Sequence, residues 1–180
     1  MRAFNNDHPS IGDTYCNLGN VYKSIGEYKK SIDYYEKSLE INLKTFNHDH
    51  PSIGDTYSNL GVVYDSLGEY NKAIEYYEKS LEIKMRAFNN DHPSIGDKYN
   101  NLGNVYDSMG EYNKAIEYYE KSLEIKMRAF NNEHPSIGDI YSNLGNVYKS
   151  IGEYKKSIDY YEKSLEINLK TFNHDHPSIG

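Results

Sequence analysis

The residues best equipped for chemistry recur at fixed intervals. His48-Asp49-His50 and His174-Asp175-His176 set two imidazoles around a carboxylate, a donor set able to hold a divalent metal. The matching stretches ending at His8, His92 and His134 carry one histidine each, so the pattern reads as a helix-start loop whose imidazoles cap and pack, and no metal is expected. Asp and Glu number 27, but they stand beside lysines four residues away and define no pocket for general acid–base work. Gly12, Gly19 and Gly26 lie seven apart in helix-forming sequence and make no phosphate loop. The 20 tyrosines follow helical spacing, which assigns them to a core rather than to a stacking platform. What remains is a row of carboxamides, Asn17, Asn59, Asn101 and Asn143, each offering a donor and an acceptor. Neither an enzyme nor a cofactor is expected.

The spacing of that row is the spacing of the whole chain. His-Pro-Ser-Ile-Gly-Asp begins at His8, His50, His92 and His134, and its first five residues return at His176. A fixed period of 42 signals a solenoid whose units bury their apolar faces against one another. The expected units are 8–49, 50–91, 92–133 and 134–175, with 1–7 closing a preceding unit and 176–180 opening a following one. Residues 1–54 also match 127–180 except at Asp7/Glu133, Thr14/Ile140 and Cys16/Ser142, which implies a longer period of three units.

A net charge of −7 and a pI near 5.5 exclude the basic face that nucleic-acid binders carry. There is no apolar run of membrane-spanning length, and Met1-Arg2-Ala3-Phe4-Asn5-Asn6 lacks the apolar core of a signal peptide. The single Cys16 stands where other units have Ser58, Asn100 and Ser142, so it is an interchangeable small residue and no internal disulfide forms. A cytoplasmic protein is expected.

Two antiparallel helices account for each unit. Pro51 suits the first position of a helix A, and Asp55 is placed to complement its positive end. Tyr57, Leu60, Val63, Tyr64 and Leu67 keep 3–4 spacing, and Gly68 supplies a left-handed stop. Helix B follows on Tyr70, Ile74, Tyr77, Leu81, Met85 and Phe88, with Glu75–Lys79 and Glu82–Arg86 pairs on its solvated side. Gly61 inside helix A costs about 1 kcal/mol relative to Ala, which a close helix crossing would explain.

Tyr57-x2-Leu60-Gly61-x2-Tyr64, then Gly68, Tyr70, Ala73 and Tyr77, resembles the tetratricopeptide repeat pattern with Tyr for the usual Trp and Phe. The signature returns at Tyr15, Leu18, Gly19 and Tyr22, at Tyr99, Leu102, Gly103 and Tyr106, and at Tyr141, Leu144, Gly145 and Tyr148. Two features depart from it: the period is 42 rather than 34, and Met85 replaces the proline that ends helix B. The string Ser80-Leu81-Glu82-Ile83 through Asp91-His92-Pro93, followed by Asn100-Asn101-Leu102, is similar to the 42-residue repeats of kinesin light chains. The resemblance implies an all-α, right-handed superhelical solenoid of antiparallel helix pairs that serves as a protein-interaction scaffold.

It also implies a concave wall lined by helix A. Carried over by position, that wall is Asp13, Asn17, Asn20 and Lys23; Asp55, Asn59, Val62 and Asp65; Asp97, Asn100, Asn101, Asn104 and Asp107; and Asp139, Asn143, Asn146 and Lys149. The row of Asn either grips the backbone of an extended peptide or ties neighbouring helices together. Kinesin light chains bind cargo-adaptor peptides, but six Asp against Lys23 and Lys149 disfavour acidic ligands and fit a polar or basic segment. A rival expectation is an architectural segment that associates head to tail, because Tyr15 and Leu18 at one end and Ile158 and Leu165 at the other sit on faces built to receive a neighbour.

Overall fold

Each His-Pro junction starts a helix. Proline at the first position sacrifices an N–H that has no intrahelical partner, and the preceding histidine, in extended conformation, turns its Nδ1 to accept from the serine N–H two residues on. These bonds measure 3.3 Å at His8 and His50 and 3.2 Å at His92 and His134. The computed structural model describes residues 8–130 and 132–175, with side chains as far as 171. Among them all regular structure is helical: α1 (Pro9–Ser24), α2 (Tyr28–Thr45), α3 (Pro51–Ser66), α4 (Tyr70–Ala87), α5 (Pro93–Ser108), α6 (Tyr112–Ala129), α7 (Pro135–Ser150) and α8 (Tyr154–Asp175). Odd-numbered helices are the expected helices A and even-numbered ones the helices B. The stretches 1–7 and 176–180, read as parts of flanking units, lie outside the described residues.

Helix A stops where glycine permits a left-handed turn. Gly68 has φ +72°, its N–H bonds to Asp65 O at 2.9 Å, and Glu69 N–H reaches back to Tyr64 O at 2.9 Å. That double bond turns the chain straight into helix B. Helix B ends one residue earlier than its apolar spacing suggests: α4 closes at Ala87 and Phe88 is extended. The equivalent Phe46 and Phe130 leave their helices to stack on His50 and His134, with ring centroids 3.8 and 3.9 Å apart.

Within a pair, the helices approach closely because helix A has no side chain at its midpoint. A Cβ on Gly61 would sit 2.7 Å from Tyr77 Cε1, and Gly19, Gly103 and Gly145 face Tyr35, Tyr119 and Tyr161 in the same way. With α2 packed on α3 as well, the α3–α4 pair buries Ile53, Leu60, Val63, Ala73, Tyr77 and Ile83. Tyr76 stacks on Tyr64 at 5.3 Å with Lys79 Nζ 5.2 Å from its centroid, so the tyrosines are packing residues.

The contacts divide the molecule into two compact units, Met1–Asn89 and Asn90–Gly180. In the first, α1 packs on α2, α2 on α3 and α3 on α4. In the second, α5 to α8 pack in the same sequence. Acids just ahead of a helix A meet the end of helix B in the same pair: Asp49 takes Arg86 Nε at 2.6 Å, Asp91 takes Arg128 at 3.2 Å, and Glu133 takes Lys170 at 3.2 Å. The Glu75–Lys79 and Glu82–Arg86 pairs form as the sequence suggests, each at 2.6 Å. No helix among the described residues is long and apolar enough to cross a membrane.

Candidate functional site

Helix periodicity puts positions three and four apart on one face, so each helix A presents a short polar stripe. In the first unit the stripe runs Asp13, Asn17, Asn20 and Lys23 on α1 and Asp55, Asn59, Val62 and Asp65 on α3. In the second it runs Asp97, Asn100, Asn101, Asn104 and Asp107 on α5 and Asp139, Asn143, Asn146 and Lys149 on α7. Asp13, Asp55, Asp97, Asp139, Asn17, Asn146 and Lys149 are exposed, and the others are half-buried.

The Asn side chains divide their capacity between structure and solvent. Asn143 Nδ2 crosses from α7 to α5 and donates to Asn100 Oδ1 at 3.2 Å and Asn104 Oδ1 at 3.4 Å. Asn59 Nδ2 likewise crosses from α3 to α1, to Cys16 Sγ at 3.6 Å. These two amides tie neighbouring helices A through their donor ends. Asn17 and Asn101 make no side-chain hydrogen bond among the described residues. The second amide row turns toward helix B, where Asn20, Asn104 and Asn146 accept from Tyr35, Tyr119 and Tyr161 hydroxyls at 2.7, 2.7 and 2.5 Å. Val62 breaks that row, so Tyr77 lacks this acceptor; burial and the nearby Asp65 charge push its phenol well above the usual range.

The charge of the face differs from what the sequence suggests. Asp55 does not act on the helix start, since it lies beyond the first turn of α3, and instead pairs with Lys84 Nζ at 2.6 Å. Asp97 pairs with Lys126 Nζ at 2.5 Å. Both lysines come from helix B and are themselves buried. Counting six Asp against two Lys therefore overstates the negative charge, because two of the six are neutralised from beneath. Among the described residues Asp13, Asp65, Asp107 and Asp139 have no such partner in their pairs, and burial raises the carboxyls of Asp65 and Asp107 above the usual carboxylate value.

Lys84 and Lys126 are the residues that sequence reasoning missed. A signal was present: position 84 falls seven residues after buried Tyr77 and four after buried Ser80, on the apolar stripe of helix B. A lysine there must find a carboxylate. Asn42 and Asn168 occupy the equivalent place in the first and fourth pairs.

The other candidate chemistry reduces to packing. Asp49 is engaged by Arg86, His50 caps α3 against Phe46, and His48 is exposed. His176 lies outside the described residues, as do the side chains of His174 and Asp175. Among the described residues no three His, Cys, Asp or Glu converge as metal ligands. Burial raises the Cys16 thiol, the opposite of what a reactive cysteine needs.

Comparison with known proteins agrees with this architecture. The tetratricopeptide repeat family model matches residues 10–86 and again 94–170. Curated proteins gave no match. The fold is similar to that of BtubC (BKLC) from P. vanneervenii, with TM-score 0.85 at 23% identity over 100% of this chain and 70% of that one. It is also similar to the nearly identical TPR-like repeats of a putative kinesin light chain from Podosopora anserina, with TM-score 0.76 at 24% identity over 94% and 81% of the two chains. MamA is a third similar structure, with TM-score 0.68 at 28% identity over 90% and 81%.

Proposed function

The chain belongs to the tetratricopeptide repeat family, a family of non-catalytic scaffolds, and on that premise we propose that it binds an extended peptide segment of another protein along the face of its helices A. The observation that carries this reading is the state of the first Asn row. Asn59 and Asn143 are held by their Nδ2 groups and keep Oδ1 unspent, while Asn17 and Asn101 keep both ends. A carboxamide fixed at one end and open at the other is pre-positioned to accept from a peptide backbone N–H, whatever the side chains of that peptide are.

Charge favours a polar or basic segment. Asp13 and Asp65 outnumber Lys23 in the first unit, and Asp107 and Asp139 outnumber Lys149 in the second, after the buried pairs are set aside. Half-buried Cys16, a free thiol beside Asn59, suits a reducing cytoplasm.

The test uses two fluorescent pools of short extended peptides, one rich in lysine and one rich in glutamate, titrated with the intact chain. The lysine pool is expected to bind and the glutamate pool to fail. Replacing Asn17 and Asn101 by Ala should weaken that binding by about 1–3 kcal/mol with helicity and melting unchanged, because neither amide bridges helices. Replacing Asn59 and Asn143 should lower the melting temperature as well. Equal binding of both pools, or an Asn17→Ala/Asn101→Ala variant with full affinity, refutes the reading.

A further inference from the structure

In two of its helix pairs the protein seats an ammonium of its own. Lys84 Nζ lies 2.6 Å from Asp55 Oδ1 and 5.6 Å from the Phe88 ring centroid. Lys126 sits likewise between Asp97 and Phe130, with its Nζ 5.5 Å from that ring centroid. A carboxylate and a ring face together hold a cation that carries N–H donors, the one by a charge-assisted bond and the other through its quadrupole.

The first pair keeps this seat but not the lysine. Asp13 and Phe46 stand 42 residues before Asp55 and Phe88, while the place of Lys84 is taken by Asn42. Phe46 stacks on His50 as Phe130 does on His134, and Phe130 accepts that stacking and the Lys126 ammonium at once. Asn42 is 2% exposed, and its Oδ1 is buried without a hydrogen-bond partner. That oxygen lies 2.7 Å from where a Cβ on Gly12 would be, in the helix notch that holds Lys84 Cε at 3.4 Å from a Cβ on Gly54. It takes the place of the last lysine carbon, one bond short of the ammonium. Asp13 beside it is exposed.

We infer that Asp13, Asn42 and Phe46 form a binding site for a primary ammonium group, received from outside where Lys84 and Lys126 supply one from within. Two of its three N–H donors meet the carboxylate and the carboxamide oxygen, the third keeps water, and the charge faces the ring. Because Asn42 Oδ1 spends no bond where it stands, turning it to an arriving N–H breaks none. The ligand is an alkylammonium, either a free small amine or the lysine tip of a protein segment. The site stands without the peptide-binding reading, and adds to it a place where a lysine of a basic segment is held.

Thermal melts of the full chain in methylammonium chloride, against potassium chloride at equal concentration, test the inference. Asp139 and Asn168 repeat Asp13 and Asn42 in the fourth pair, so each variant changes both pairs. Methylammonium is expected to raise the melting temperature of the parent above the potassium value, in a saturable way, as a ligand of the folded state does. Asn42→Lys with Asn168→Lys fills both seats from within, and Asp13→Asn with Asp139→Asn removes both carboxylates. Each should abolish the extra rise, with circular dichroism showing the helices intact. An equal rise in the two salts, or an extra rise that survives either double substitution, overturns the inference. The lysine-rich peptide pool separates the two sources: loss of its binding to the lysine variant assigns the site to a protein lysine, and unchanged binding beside an intact methylammonium response of the parent assigns it to a free amine. A pool that binds while methylammonium gives no extra rise strikes this site and leaves the peptide-binding reading standing.

Discussion

Lys84 is 4% exposed, yet its Nζ lies 2.6 Å from Oδ1 of Asp55, whose side chain is open to solvent. The stem passes Gly54 and carries the ammonium to 5.6 Å from the Phe88 ring centroid, so the residue packs along its length and emerges only at its charge. Ser80 Oγ bonds Gly54 O at 2.7 Å beside it, and Ser122 repeats that bond to Gly96 O next to Lys126. In the first pair Asn42 replaces the lysine, and Asn42 Oδ1 and Ser38 Oγ are both buried without a hydrogen-bond partner.

The first prediction follows from that contrast. Asn42→Lys should return an ammonium to Asp13 and remove a buried orphan acceptor, stabilising the chain by about 1 kcal/mol. The reverse change, Lys84→Asn, should cost about 1–2 kcal/mol, below the figure for a fully buried pair because water still solvates the Asp55 carboxylate it leaves. Urea denaturation of the single variants, and of Asn42→Lys combined with Asp13→Asn, forms a double-mutant cycle. A gain that survives the loss of the Asp13 charge shows that stem packing, and not the ion pair, is responsible.

The glycine at the helix crossing gives a prediction with a change of sign. In Gly61→Ala the new methyl meets the rigid Tyr77 ring at 2.7 Å, an overpacking that costs about 1–3 kcal/mol against about 1 kcal/mol gained in helix propensity. A net loss is expected. With Tyr77→Leu as background the ring is gone, and Gly61→Ala should become neutral or stabilising. Thermal melts of the four proteins check this, and a loss of the same size in both backgrounds would show that the ring is not the obstacle.

These contrasts mark where the sequence was legible. Pro51, Gly68 and the 3–4 spacing of Leu60, Val63 and Tyr64 are local signals, because a missing N–H, a positive φ and one apolar face each act within a turn or two, and the helices begin and end where they indicate. The position of Gly61 announced a close crossing for the same reason. Long-range pairing was not legible. Nothing adjacent to Asp55 or Lys84 in the chain couples them across 29 residues, and the 42-residue period hid the exchange of Lys84 for Asn42. The double use of the Asn rows was equally out of reach. Asn17 and Asn59 are the same letter at the same place in one unit, but only Asn59 has a preceding helix A in that unit, carrying Cys16 beside its Nδ2.

The last prediction concerns pH and joins stability to the proposed function. Burial raises the carboxyls of Asp65 and Asp107 above their unfolded value, so the fold prefers them protonated. Their contribution to stability is fully present below the ordinary carboxylate range, and it is lost as pH rises through the raised value. Above that raised value each ionised carboxylate costs the fold something, kept below about 1 kcal/mol by solvent screening. Asp65→Asn with Asp107→Asn should therefore raise the melting temperature at pH 7, and the gain should fade as pH drops to about 3. Acid has the opposite effect on Glu40, Glu75 and Glu117, which Lys44, Lys79 and Lys121 hold below the usual value, so the parent chain itself weakens on acidification. Only the difference between parent and variant isolates the two Asp. If these carboxylates are retained for a basic ligand, the variant that melts higher should also bind the lysine-rich peptide pool less tightly, a trade of stability against binding. Melting curves from pH 3 to pH 7 and titrations with that pool decide it. A stability gain constant across that range would mean that the Asn substitutions act by packing rather than by charge.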